Sequence, residues 1–139
     1  MISFTTIELK FALKNKSLVR NWIKSILTSE EKKPGDVVFV FCNDEYLGGM
    51  NQKFLNHDTL TDIITFDYSE NEILSGDICI SIERVHENSI NFNTTFNEEL
   101  GRVMAHGILH LAGYKDKSAK DKSLMRQKEN SYLSSYPNL

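Results

Sequence analysis

The sequence predicts an α+β fold: a mixed sheet of about four strands packed with about five helices, in one domain spanning residues 1–139. Three observations carry this. Residues 37–42, Val-Val-Phe-Val-Phe-Cys, form an unbroken apolar run between turn residues, the pattern of a strand buried on both faces. Residues 63–68 and 77–82 alternate with period two, placing Ile64, Phe66 and Tyr68, and then Ile78, Ile80 and Ile82, on single faces. Residues 18–27 and 95–112 carry their apolar side chains at helical spacing. The chain's 139 residues make one domain of ordinary size, able to bury roughly two-thirds of its unfolded surface. With 40% hydrophobic and 25% charged residues, disorder is excluded.

The elements follow in order. Residues 2–4 read as a short edge strand. Thr5-x-x-Glu8 has the form of a capping box and predicts a helix start there. Leu18, Val19, Trp22, Ile23, Ile26 and Leu27 make one helical stripe, with Lys10, Lys14, Lys16, Arg20 and Lys24 around it. Lys33-Pro34-Gly35-Asp36 predicts a turn that ends the helix. Asn43-Asp44 is placed to cap a helix reaching Leu55, weakened by Gly48 and Gly49. Residues 69–75 read as a loop and 82–90 as a short helix. Thr95-x-x-Glu98 opens the helix that Gly113 ends. Residues 118–132 read as a charged helix with Leu124 and Met125 facing inward.

Charge is segregated. Residues 1–33 sum to +4, residues 34–99 to −11 and residues 100–139 to +4, for a net −3. The two basic ends either solvate helix faces or meet in space as a patch for a polyanion. No run is long and apolar enough to span a membrane, and the first residues lack the pattern of a secretory signal. Cys42 and Cys79 lie in apolar runs and read as reduced core thiols, which suits a cytoplasmic protein.

The chemistry concentrates in residues 105–116. His106 and His110, four apart on one helix, project from the same side, at the margin of the apolar stripe. Gly113 lets the chain reverse, so Asp116 can reach the pair as a third ligand. Two imidazoles and a carboxylate suit Zn²⁺ and leave one position open, as in catalytic sites. Zinc peptidases carry a glutamate directly after the first histidine; here that place holds Gly107, which can accept no proton. Glu99, on the same helical face as the histidines, either orients an imidazole or is a surface or helix-N-terminal charge. Asp62 is a second acidic candidate near the cleft, alongside a turn-capping reading. His57 and His86 have no partner at ligand spacing and read as surface residues.

These residues resemble the YbeY family of bacterial single-strand-specific endoribonucleases. The resemblance rests on His106-Gly107-Ile108-Leu109-His110-Leu111-Ala112-Gly113-Tyr114, on Leu60-Thr61-Asp62-Ile63-Ile64-Thr65-Phe66 and on Gly76-Asp77-Ile78-Cys79-Ile80-Ser81, in that family's order along the chain. It implies a zincin-like fold, His106 and His110 as zinc ligands, and a metal-dependent nuclease acting on single-stranded rRNA. It further implies maturation of the 16S 3′ end and quality control at the ribosome or its small subunit. Two departures stand out. Asp116 occupies the place of a third histidine, so another transition metal can compete with zinc. A family arginine aligns with Leu55, which cannot grip phosphate; Arg102, one turn before His106, is one candidate substitute by position, and the basic ends are another. No general base is evident, and Glu99 and Arg102 are the catalytic candidates. The alternatives are a metallopeptidase-like hydrolase, which Gly107 disfavours, and a non-catalytic ribosome-associated module with a structural metal.

Overall fold

The computed structural model describes residues 1–55 and 61–137. Among the described residues nine elements follow one another: β1 (Ile2–Thr6), α1 (Lys16–Ser29), β2 (Lys33–Cys42), α2 (Asp44–Leu55), β3 (Ile63–Asp67), β4 (Ile73–Ser81), α3 (Ile82–Asn91), α4 (Phe96–Leu111) and α5 (Ala119–Leu133). The strands make one mixed sheet in the order β1-β2-β4-β3. β1, β2 and β4 run parallel, and β3 pairs antiparallel with β4, Ile63 opposite Ile80. The expected α+β class, with four strands and five helices, is the one observed.

Both faces of the sheet are covered, which is why residues 37–42 of β2 are apolar without a break. On one face Val37, Phe39, Phe41, Ile78 and Ile80 pack with α1 and α4 residues such as Ile23, Met104 and Ile108. On the other, Val40, Cys42, Ile64 and Cys79 pack with Leu47 of α2. Both cysteines are free and buried, and burial pushes the Cys42 thiol up to about 12 and Cys79 to about 11.

Four expectations need correction. No helix starts at Thr5: Thr5 and Thr6 stay in β1, paired with Val40 and Phe41, and the first helix waits until Lys16. Ladder pairing outweighs an isolated capping signal. Residues 33–36 do not form the turn. The chain turns at Glu31 (φ 58°), and Lys33 and Pro34 already pair with Ile73 and Leu74. The proline is tolerated because the register shifts directly after it. The 69–75 loop is shorter than expected, since β4 begins at Ile73. Leu124 does not face inward: it is 43% exposed, and Met125 and Glu129 are the buried residues of α5.

α4 is buried almost all round and forms the centre of the helical layer. Thr95 caps it by accepting from the Glu98 N–H (3.1 Å), while the Glu98 carboxylate takes the Thr94 hydroxyl instead of completing a capping box. Its C-terminus closes through Gly113, at φ 106°, with Gly113 N–H donating to His110 O and Tyr114 N–H to Leu109 O. That reversal sends residues 114–117 back along the helix.

Candidate metal centre

The reversal brings Asp116 to the histidines. Asp116 Oδ2 lies 3.7 Å from His106 Nε2, and one ligand atom each from His106, His110 and Asp116 can be chosen so that all lie within 4.8 Å of one another. The two imidazole rings stand 4.5 Å apart, centroid to centroid, steeply inclined at 74°. Around a tetrahedral ion with bonds of about 2.0–2.2 Å, ligand atoms stand roughly 3.3–3.6 Å apart. The trio fits such an ion with small side-chain adjustments, and two imidazoles with a carboxylate are an ordinary donor set for zinc.

Glu129, reaching over from α5, fixes the orientation of the first imidazole. His106 Nδ1–H donates to Glu129 Oε2 at 2.7 Å, which turns Nε2 toward Asp116. Glu129 is 4% exposed, and Arg102 Nη1 donates to its other oxygen at 3.1 Å. Burial alone would raise its pKa, but the hydrogen bond from His106, that ring's charge and Arg102 outweigh it and hold the carboxyl below its ordinary value. His106 moves the other way: burial lowers it, and Glu129 with Asp116 more than compensates. His110 is pushed down by burial and by the neighbouring His106. A carboxylate on the far nitrogen of an imidazole is the usual support for a metal-binding histidine. Sequence reasoning missed Glu129. The available signal was its position one helical turn after Met125, a carboxylate on the inward face of α5.

The trio lies in a cleft of about 860 Å³ that α4 floors, between the end of α3 and the start of β3 on one side and α5 with the 114–117 loop on the other. Both catalytic candidates line it. Glu99 is 3% exposed, so it is no surface charge, and burial with nearby Asp62 pushes its carboxyl up to about 6. It does not orient the imidazole; Glu129 does. Asp62 also lines the cleft, raised by burial, with its carbonyl accepting from the Ser81 N–H at 3.0 Å. His86 is exposed, as expected, near the Phe96 ring. His57 lies outside the described residues.

Gly107 supplies a second reason against peptidase chemistry. A Cβ there would stand 2.7 Å from Ile78 Cγ2 and 3.0 Å from Ile63 Cδ1. The position faces the sheet, so a glutamate has no room.

Comparison with known proteins decides the family. The sequence profile described as Endoribonuclease YbeY matches residues 2–137. The chain belongs to the YbeY family. A relative named Endoribonuclease YbeY from Flavobacterium johnsoniae is 50% identical over 136 residues, covering 98% of this chain and 97% of the relative. Another of that name from Flavobacterium psychrophilum is 52% identical over 133 residues, covering 96% and 94%. The solution structure of TM1509 from Thermotoga maritima superposes with a TM-score of 0.66 at 31% identity, covering 98% of this chain and 89% of that one. In this YbeY family member the His-x3-His pair lies on α4, and Asp116 follows His110 after five intervening residues, in the loop beyond the helix. Among the described residues, no helix is long and apolar enough to cross a membrane.

Proposed function

We propose that this chain is a metal-dependent endoribonuclease that cleaves single-stranded RNA, with His106, His110 and Asp116 holding one Zn²⁺ or a competing transition metal. In this reading it is a cytoplasmic enzyme, its substrate is rRNA on the ribosome or small subunit, and its cut matures the 16S 3′ end and serves ribosome quality control. The observation that carries the reading is the convergence of three ligand side chains on the floor of a cleft that Arg102, Lys115, Lys117, Lys122 and Arg126 also line. Family membership supports the reaction class.

A bound divalent ion supplies Lewis acidity at a phosphoryl oxygen and acidifies water, to a pKa of about 7 for zinc. The protein's side chains do the rest. Glu129 keeps the proton of His106 on Nδ1, leaving Nε2 free as a donor. Arg102 is held at the cleft wall by Glu129, placing a guanidinium where a phosphate can meet it. The lysines and Arg126 neutralise flanking phosphates. Glu99 sits seven residues before His106, about 10 Å along the helix axis. It therefore belongs beside a neighbouring nucleotide rather than the phosphate at the ion.

Metal analysis of purified protein should find about one transition metal per chain, and His106→Ala should lose it. In cells lacking the protein, 16S 3′ ends should be restored by the wild type and not by His110→Ala. Equal restoration by both would leave a non-catalytic ribosome-binding role.

A further inference from the structure

Across the cleft from the cations on α5 and its preceding loop stands an aromatic ring. Phe92 is 61% exposed and lines the cleft, together with Asn88 of α3. Its backbone is fixed: Phe92 caps the C-terminus of α3 (φ −95°, ψ 3°), its N–H donating to Asn88 O at 2.8 Å. The next two residues are also tied back, Asn93 N–H to Ile90 O and Thr94 N–H to Ser89 O. The ring is therefore presented from a rigid base. Asn88 Nδ2 is oriented by Asp62 Oδ2 at 3.5 Å. α4 packs against both α3 and α5, so the ring and the cations flank the floor that carries His106 and His110.

Cations on one side and an exposed aromatic on the other suit a strand whose phosphates follow the charges and whose base lies on the ring. A duplex gains nothing from such a ring, because its bases are already stacked and paired; only a splayed base has a free face. We propose that Phe92 is a base-stacking platform and the residue that makes the cleft select single-stranded over paired RNA. This rests on the endoribonuclease reading and names how that site recognises its substrate.

The test uses the full chain and a short 2′-O-methyl oligouridylate. Phe92→Ala should weaken single-strand binding about tenfold, and Phe92→Trp should restore it. Binding of a duplex of the same length should not change. Placing one abasic site along the oligonucleotide should, at one position, weaken the wild type and remove the difference between wild type and Phe92→Ala. An oligonucleotide with 5-iodouridine at that position should crosslink to Phe92 on irradiation. With a cleavable RNA, Phe92→Ala should raise KM far more than it lowers kcat. Equal single-strand affinity of wild type and Phe92→Ala overturns the stacking role and leaves the endoribonuclease reading standing. A wild type that binds no single-stranded RNA overturns both.

Discussion

At the scale of single residues, two positions next to His106 decide how the helix and the ligand are held. Gly107 has no Cβ because Ile78 and Ile63 occupy that space. Ile78 is fully buried and β-branched, so its methyl has little freedom to withdraw. Gly107→Ala gains helix propensity of about 1 kcal/mol but overpacks the sheet contact by about 1–3 kcal/mol. Its expected net effect is a lower thermal midpoint, read by circular dichroism. A midpoint above the wild type's would mean that the contact yields freely. Glu129 poses the opposite problem, a buried charge that must keep its partners. Glu129→Ala leaves Arg102 and the His106 Nδ1–H without their acceptor. It should weaken metal binding about 10–100-fold in competition with a chromogenic chelator, and Glu129→Gln should recover part of that loss. Unchanged affinity in Glu129→Ala would show that the imidazole is oriented by helix packing alone.

At the scale of elements, the sequence was most legible where local pattern and tertiary pairing agree. The apolar run of β2, the Thr95 cap and the Gly113 stop are found where expected, and the alternating segments are strands as far as Asp67 and Ser81, with Tyr68 beyond β3 and Ile82 opening α3. It misled where the two compete, as at Thr5, where strand pairing defeats a cap. The convergence of His106, His110 and Asp116 was legible because helix spacing and one glycine dictate it. Glu129 was not read, because α5 is polar nearly throughout and its position one turn after Met125 was the single faint sign of enclosure. The same limit hid a clamp between α1 and the loop bearing Asp116. Tyr114 Oη donates to Glu30 Oε1 at 2.6 Å, Lys128 Nζ to Oε2 at 3.1 Å, and the Tyr132 hydroxyl also donates to Glu30. Burial would raise the Glu30 carboxyl, but these donors outweigh it and hold it below its ordinary value. A carboxylate with a depressed folded pKa contributes stability above its unfolded value, about 4.3, and loses it as pH falls through the folded one. Glu30→Gln should therefore cost about 1–2 kcal/mol near pH 7 in urea unfolding, and the gap to wild type should close as the solution is acidified below pH 4. A gap that persists at acid pH would assign the loss to packing instead of charge. Because Tyr114 sits two residues before Asp116, the same variant should also loosen the carboxylate ligand and weaken metal binding.

At the scale of the whole molecule, an overall charge of −3 hides a division of labour. The two basic ends do touch: Trp22 Nε1 donates to Tyr132 O at 2.9 Å, and its ring packs edge-on to Tyr136. They do not pool their charge in the cleft. Among the described residues, those lining it begin at Thr61, and its cations all come from residues 102–126. Arg20, by contrast, donates to Ile2 O and lies over the Phe4 ring, on β1 at the opposite edge of the sheet from β3. The N-terminal block is thus a solvated helix face, and the C-terminal block is the one placed to meet phosphate. Each phosphate neutralised on a single strand contributes about −0.7 to the slope of log affinity against log salt. Arg102 and Arg126 are both paired with Glu129, so engagement of Lys115, Lys117 and Lys122 alone would give a slope of roughly −2 by that rule. Replacing Lys122 with glutamine should reduce the slope by about 0.7, whereas Lys16→Gln and Lys24→Gln should leave it unchanged. A slope that responds to the α1 lysines would place the strand across the far edge of the sheet and detach RNA binding from the metal centre.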